Sequence, residues 1–414
     1  MLASSIMGRH LYSTLLLLCL PILITHVVRK YRRENQNPMV TERLGIKLPR
    51  TQEQSVWIHA CSLGESKVGL KLARELVRLD PSIHIFMTAT TPSGLNELSS
   101  SEFQSHVFPW DFSWIWSRWI THMKPKALIV IETELWPNLV SVCTRQQIPV
   151  FLANGRLSLK SMTGYQRFSW LTKPMWARIT RALMQFEDDA HRAHALGVPA
   201  HAISEVGSIK LDQLPPQVNQ QRAQQISEWK GNRQVVCLMS SHTQDDQVLV
   251  KWMVSQNTLG LIIVPRHPVR GDAIEVIARD AGLNVCRVSK GIESATQILI
   301  GDTFGDMGAY LSEADLVVIG GSFSQRGGQN PIEPALMSKP LIAGPSMYNF
   351  QAIASGLEEA GAMLVTDESH LDHSIQSALS HTHSMGQAAN AWVEARRGST
   401  ERQAQAILAA LADG

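Results

Sequence analysis

The chain has 414 residues, enough for two or three domains of ordinary size. An apolar fraction of 44% beside 18% charged residues describes a globular protein and excludes a disordered or fibrous one. Lys plus Arg number 38 against 36 Asp plus Glu, and a net charge of +2 excludes a dedicated nucleic-acid wrapper. Five cysteines (Cys19, Cys61, Cys143, Cys237 and Cys286) are scattered without a Cys-x-x-Cys pair, which argues against a disulfide framework or a structural zinc site.

Leu11 to Val28 is an apolar run of 18 residues broken only by Tyr12, Ser13, Thr14, Thr25 and His26. That is near the lower length for a membrane-spanning helix, about 17–25 residues. Arg29, Lys30, Arg32 and Arg33 follow at once, whereas a secretory signal carries its charge first and ends at a small-residue cleavage site. The positive-inside rule then keeps the body of the protein in the cytoplasm. Pro21 is placed to kink the segment, which either spans the membrane or lies in one leaflet.

Beyond the anchor, strand and helix patterns alternate. Val56–Ala60, Ile83–Met87, Ala127–Ile131 and Val150–Ala153 read as buried strands, and Lys67–Leu79 has apolar residues at helical spacing. A second series follows Leu214-Pro215-Pro216: Val235–Met239, Leu261–Pro265, Gln297–Ile300, Leu316–Ile319 and Leu341–Ala343. The pattern predicts two α/β domains, each a doubly wound parallel sheet, with ligands bound beyond the carboxyl ends of the strands.

The residues after those strands are therefore the candidates. His59-Ala60-Cys61-Ser62-Leu63-Gly64-Glu65 puts Glu65 near a helix N-terminus, where an ionised carboxylate is favoured. Glu65 is either a general base or only a stabiliser of the helix start. Glu132 and Glu134, directly after a strand, either cap the helix begun by Pro137 or hold a metal ion, although no further acidic ligand is evident nearby. From Arg156 to Arg181 there are six basic residues (Arg156, Lys160, Arg167, Lys173, Arg178, Arg181), no acid, and Tyr165, Phe168, Trp170 and Trp176 among them. Such a stretch suits an anionic membrane surface or a phosphorylated lipid; the plainer reading is a solvated helix with core aromatics. Arg266 and Arg270 in Pro265-Arg266-His267-Pro268-Val269-Arg270 can bind phosphate or carboxylate. Glycines at 301, 305, 308, 320, 321, 327 and 328 let a backbone approach a phosphate. Asn330 is placed to cap a helix opened by Pro331, with Glu333 one turn in and suited to ribose hydroxyls. No Gly-x-x-x-x-Gly-Lys-Ser/Thr loop occurs and no Gly-x-Gly-x-x-Gly follows the first strand, so a P-loop NTPase and a dinucleotide oxidoreductase are disfavoured. A nucleotide-type donor in the second domain, a Glu base in the first and an anchor together suggest a two-domain glycosyltransferase with a lipid acceptor.

In order along the chain stand WIHACSLGE (57–65), TATTPSG (88–94), ETELWPN (132–138), ANGRLS (153–158), SIKLD (208–212), PRHPVR (265–270), GDTFGDM (301–307) and GGQNPIEPA (327–335). With the anchor they resemble the 3-deoxy-D-manno-octulosonic acid (Kdo) transferases of Gram-negative bacteria over nearly the whole chain. The resemblance implies the GT-B fold. It implies transfer of Kdo from CMP-Kdo to the lipid A precursor at the inner membrane, with inversion and without a metal or other cofactor. It implies Glu65 as general base, with Glu132 and Lys210 stabilising the transition state. It implies that CMP is held by Arg266 and His267, by Phe304, Gly305 and Asp306, and by Asn330, Pro331, Ile332 and Glu333. The expected division is an anchor (1–33), an acceptor-binding Rossmann-like domain (34–214) and a CMP-Kdo-binding Rossmann-like domain (215–414). The competing expectations are another GT-B enzyme using a UDP-sugar, and a non-catalytic membrane-anchored binding protein. Cys61 stands where Ala is more usual in the family, Ser208 where Asn is, and Gln329 where His is.

Overall fold

The computed structural model describes residues 2–33 and 37–412. The chain divides into two compact units, one of Met1–Asp212 with Gly398–Gly414, the other of Gln213–Arg397.

The first unit is built on seven parallel strands: β1 (Val56–Ala60), β2 (Ile85–Ala89), β3 (Gln104–Val107), β4 (Ala127–Ile131), β5 (Val150–Gly155), β6 (Arg181–Met184) and β7 (Ile203–Glu205), in the order β3-β2-β1-β4-β5-β6-β7. Every residue of β1, β2, β4 and β5 is buried, because helices cover both faces of the sheet. Val56 pairs with Ile85 on one side and Ala127 on the other. The chain leaves β1 toward β2 and β3 and returns to β4, so the carboxyl ends of β1 and β4 flank the point where strand order reverses. One face of the sheet packs Trp57 with Trp116 and Trp119, ring centroids 5.7 and 6.0 Å away. The other face packs Ile58, Leu72, Leu76 and Ile129.

The second unit repeats the plan: β8 (Val235–Ser241), β9 (Gly260–Pro265), β10 (Val285–Arg287), β11 (Ile298–Ile300), β12 (Leu316–Ile319), β13 (Leu341–Ala343) and β14 (Met363–Val365), ordered β10-β11-β9-β8-β12-β13-β14 and all parallel. Here the reversal lies between β8 and β12.

The sequence pattern passes over β3, β6, β7, β10 and β14, four of which are sheet edges. An edge strand such as Gln104-Ser105-His106-Val107 or Ile203-Ser204-Glu205 is half-exposed and carries no apolar run. The expected strand at 83–87 lies two residues later, at Ile85–Ala89.

A further expectation is corrected. The final helix, Ser399–Ala412, was expected in the 215–414 domain; it belongs to the first unit, against the helix Leu63–Leu79, with Ala404 and Ile407 buried in that core. Its start is capped by Asp212, whose carboxylate accepts the N–H groups of Gly398 and Thr400 at 2.6 Å each. The apolar run of 11–28 is kinked as Pro21 predicts, into the helices Leu2–Leu18 and Leu20–Arg33, bent by 55°. The break falls at Cys19, where the ring of Pro21 crowds the preceding turn. Among the described residues no single helix is long and apolar enough to cross a membrane, whereas this bent pair together meets the test of length and composition. Gly8 lies so close to the Trp170 ring that a Cβ there would stand 2.3 Å from it. Leu11, Leu15, Leu18 and Ile22 are exposed. The boundary expected between residues 33 and 34 adjoins 34–36 and lies outside the described residues.

Candidate active site

In the first unit the groups singled out from sequence meet at the ends of β1 and β4. Ser62 caps the helix Leu63–Leu79, accepting the Glu65 N–H at 3.4 Å. The Glu65 carboxylate reaches back: Oε2 accepts the Cys61 N–H at 2.7 Å and Oε1 the Ser62 hydroxyl at 2.8 Å. This reciprocal arrangement is a helix-capping device, so Glu65 does stabilise the helix start. The same bonds hold its carboxylate in a single orientation. Burial pushes the Glu65 carboxyl up to about 7; the Cys61 N–H works against this, and the negative charges of Glu132 and Glu134 add to it. A carboxylate with that proton affinity can both take and hold a proton at neutral pH.

Glu132 extends β4, its N–H donating to Ala153 O at 2.9 Å, but its φ of 60° is left-handed. Such a conformation costs a non-glycine residue about 1–2 kcal/mol and is typical of functional positions. Its carboxylate pairs with Lys210 Nζ at 2.9 Å. Glu134 is half-buried, and burial raises its carboxyl, while the nearby Cys61 thiol acts in the opposite direction. His59, in the same motif, is core: it is fully buried and stacks on Phe108 with centroids 3.6 Å apart.

Lys210 sits on a short turn, Ile209–Asp212, whose placement depends on two buried residues that sequence reasoning missed. Asn154 Oδ1 accepts the Ile209 N–H at 2.9 Å, and the Asn154 N–H donates to Gln403 Oε1 at 2.7 Å. Gln403 Nε2 in turn donates to Gly207 O at 3.1 Å. The terminal helix is thus wired to the lysine's turn. The available signal was Asn154 itself, a polar residue ending a buried strand, here at φ 52°.

In the second unit the candidates divide. Arg266 and His267 follow β9 and are exposed, the Arg266 N–H being tied to Ser241 O at 3.0 Å. Asn330 caps as expected, Oδ1 accepting the Ile332 N–H at 3.0 Å, while its amide donates to Glu333 Oε1 at 3.1 Å and Gln213 Oε1 at 3.3 Å. Pro331 is the residue before the helix Ile332–Leu336 rather than its first. Burial raises the Glu333 carboxyl, and the Asn330 bond and the nearby Arg266 charge oppose the rise. Phe304 is 86% exposed and Gly305 has a φ of 82°. Asp306 is buried instead, accepting Thr303 Oγ1 at 2.7 Å, Asn219 Nδ2 at 3.0 Å and Arg222 Nε at 3.2 Å. Burial would raise its carboxyl, but these partners outweigh it and hold it below the usual range. Arg270, expected as an anion ligand beside Arg266, pairs with Asp246 and bonds Ser241 O at 2.8 Å. It builds the loop rather than projecting from it. A residue outside these candidates knits the site: buried Asp245 accepts N–H groups of Gly321 at 2.7 Å, His242 at 2.8 Å and Phe323 at 3.1 Å. It joins the loops after β8 and β12 at the strand-order reversal.

A family profile described as 3-Deoxy-D-manno-octulosonic-acid transferase (kdotransferase) matches residues 39–213. The chain is similar to the 3-deoxy-D-manno-octulosonic acid transferase of Haemophilus influenzae, 29% identical over 96% of this chain and 97% of that one. It is similar to that of Rickettsia typhi, 30% identical over 86% of this chain and 78% of the relative. Among solved structures, a UDP-GlcNAc 2-epimerase from Neisseria meningitidis has a TM-score of 0.59 at 13% identity, covering 87% of this chain and 100% of that one. A glycosyltransferase from Rickettsia africae has a TM-score of 0.54 at 12% identity, covering 88% of this chain and 99% of the other. At such identities these two speak for the fold alone, which is the GT-B glycosyltransferase architecture.

Proposed function

The chain belongs to the 3-deoxy-D-manno-octulosonic acid transferase family, a glycosyltransferase of lipopolysaccharide synthesis, and from that premise we propose that it moves Kdo from CMP-Kdo to the lipid A precursor lipid IVA with inversion and without a metal. The observation that carries the mechanism is the orientation of Glu65 by Cys61 and Ser62, beside the Glu132–Lys210 ion pair.

Glu65 takes the proton of the acceptor hydroxyl as its oxygen attacks the Kdo anomeric carbon. The bond from that carbon to the CMP phosphate breaks, and its electron pair leaves with CMP. Attack opposite the leaving group inverts the centre. Lys210, oriented by Glu132, meets either the negative charge developing on the leaving phosphate or the standing charge of the Kdo carboxylate. In the second unit Arg266 and His267 face the leaving phosphate, and Asn330 and Glu333 take ribose hydroxyls. Gly305, free of a side chain, lets the turn bearing Phe304 approach the donor, while Asp306 serves that turn by anchoring it to Asn219 and Arg222. Fixed cationic donors of this kind fill the role that a metal has in other transferases.

The bent helix pair, with its exposed leucines and the basic residues 29–33, supports a place at the cytoplasmic face of the inner membrane. Phe168 and Trp170 are exposed on the basic stretch 156–181, which suits the phosphates of a membrane-borne acceptor.

The test is a transfer assay on the full chain with CMP-Kdo generated in situ, tetraacylated bisphosphorylated lipid IVA, and EDTA, read by mass spectrometry. A mass increase of one or more Kdo units is expected. Product formed only from a UDP-sugar, or only after a divalent cation is restored, overturns the donor or the metal-independent scheme respectively.

A further inference from the structure

One member of the cluster around the base has no task in the scheme above. Glu134 stands two residues beyond Glu132 in the loop after β4. A carboxylate oxygen of Glu134, one of Glu65 and the Cys61 sulfur lie within 4.8 Å of one another. Cys61 adjoins both acids: its N–H donates to Glu65 at 2.7 Å, and its thiol lies within 4.8 Å of both carboxylates. Burial pushes that thiol up to about 12, so it stays protonated at neutral pH.

We propose that Glu134 is a positioning residue for the base: its carboxylate stands beside Glu65 and the Cys61 thiol and favours the form of Glu65 that has taken the acceptor's proton. The inference rests on the reading of Glu65 as base.

Two carboxylates a few ångströms apart resist carrying two charges at once. When the acceptor O–H bond breaks and the proton bonds to Glu65, one of the two like charges disappears as the hydroxyl's electron pair goes to the anomeric carbon. Repulsion stored before the step is thereby released in it. Glu134 itself neither gives nor takes a proton. The other charged and titratable groups around the pair act differently. Glu132, from the same loop, pushes Glu65 up more strongly than Glu134 does, but its carboxylate is committed to the Lys210 ammonium at 2.9 Å. Tyr165, from the helix Leu159–Arg167, faces Glu134, its hydroxyl donating to Thr133 O at 3.0 Å. Arg43, from the turn Val40–Arg43, acts on Cys61 and is itself bonded to Tyr31 and Thr90 O. Among the described residues Glu134, unlike Glu132, is in no ion pair, so its charge stands beside Glu65 without a cation against it.

The experiment follows Glu65 directly, by carboxyl-carbon NMR titration of the full chain labelled at glutamate, in wild type, Glu134→Gln and Glu134→Asp. In Glu134→Gln the Glu65 midpoint should fall by about one pH unit, and Glu134→Asp should bring most of it back. The acid limb of kcat/KM should move by the same amount, with kcat above pH 8 lowered roughly tenfold and KM for CMP-Kdo unchanged. If Glu134→Gln does not fold, Cys61→Ala gives a second reading, since it keeps every charge but removes the thiol that favours ionised Glu134; the midpoint should then fall by less. An unmoved midpoint in these variants overturns the inference, even where activity is lost, because Glu134 is then only a structural part of its loop. A moved midpoint in a chain that transfers no Kdo upholds the pairing and strikes the transferase reading instead.

Discussion

The two units share a plan of seven parallel strands with one reversal of strand order, yet they equip it in opposite ways. At the reversal of the first unit stand three carboxylates and one ammonium: Glu65, Glu132, Glu134 and Lys210, all half-buried. At the corresponding place in the second unit most charges are already matched within the loops. Arg270 pairs with Asp246, and Asp245 is spent on three backbone N–H groups. What projects there is Arg266 and His267. Burial within an acidic cluster raises the proton affinity of Glu65, whereas the loops of the second unit match most of their own charges. On the function proposed, one architecture carries a base in one unit and leaving-group recognition in the other, and the loop residues make the difference.

The sharpest way to break this contrast is Glu65→Gln. Transfer should fall by ~10³-fold or more, while CMP affinity, measured by calorimetry, stays within about twofold. Residual turnover near wild type would falsify the assignment of the base. The same variant has a stability consequence. The Glu65 carboxyl is raised in the fold to about 7, so the fold favours its protonated form. Stability from this group is complete below the ordinary carboxylate value and is lost as pH rises through about 7. Glu65→Gln should therefore be the more stable protein at pH 8, by on the order of 2 kcal/mol, and the gain should vanish at pH 4. Equal denaturation midpoints at pH 8 would speak against the raised value.

Arg266→Ala probes the other unit. Losing one charge-assisted hydrogen bond of about 1.5–3 kcal/mol should weaken CMP binding by roughly tenfold to a hundredfold. The pH dependence of transfer should not move. A shifted acid limb in that variant would mean that the division of labour is wrong.

The smallest expected effect is at Gln403, far along the chain from any motif. Gln403→Leu leaves the Asn154 N–H and Gly207 O without their partner and loosens the turn bearing Lys210. We expect kcat to drop roughly tenfold with KM for donor unchanged, since misplacement of a reacting group affects the transition state more than binding. Unchanged kcat would show that the lysine's turn holds itself.

Much of this protein was legible in its sequence. Buried parallel strands are continuous apolar runs, so β1, β4, β8, β9, β12 and β13 stand out, and the rule that ligands sit beyond strand ends points directly to Glu65, Glu132, Arg266 and Asn330. Edge strands were not legible: β3 and β7 face solvent for much of their length and read as loop, while β10 and β14 are only three residues long. Nor was the destination of the last helix. Its apolar spacing would cover either sheet, and what assigns it to the first is the Asp212 carboxylate waiting at its start. Sequence order could name Asp306 and Arg270 as polar residues near a site. It could not tell that both are consumed by neighbours distant in the chain, Arg222 across 84 positions and Asp246 across 24. Local pattern thus determined which strands form and which residues end them. Tertiary structure decided which charges are left over for chemistry, because pairing and burial depend on groups that only the folded chain brings together.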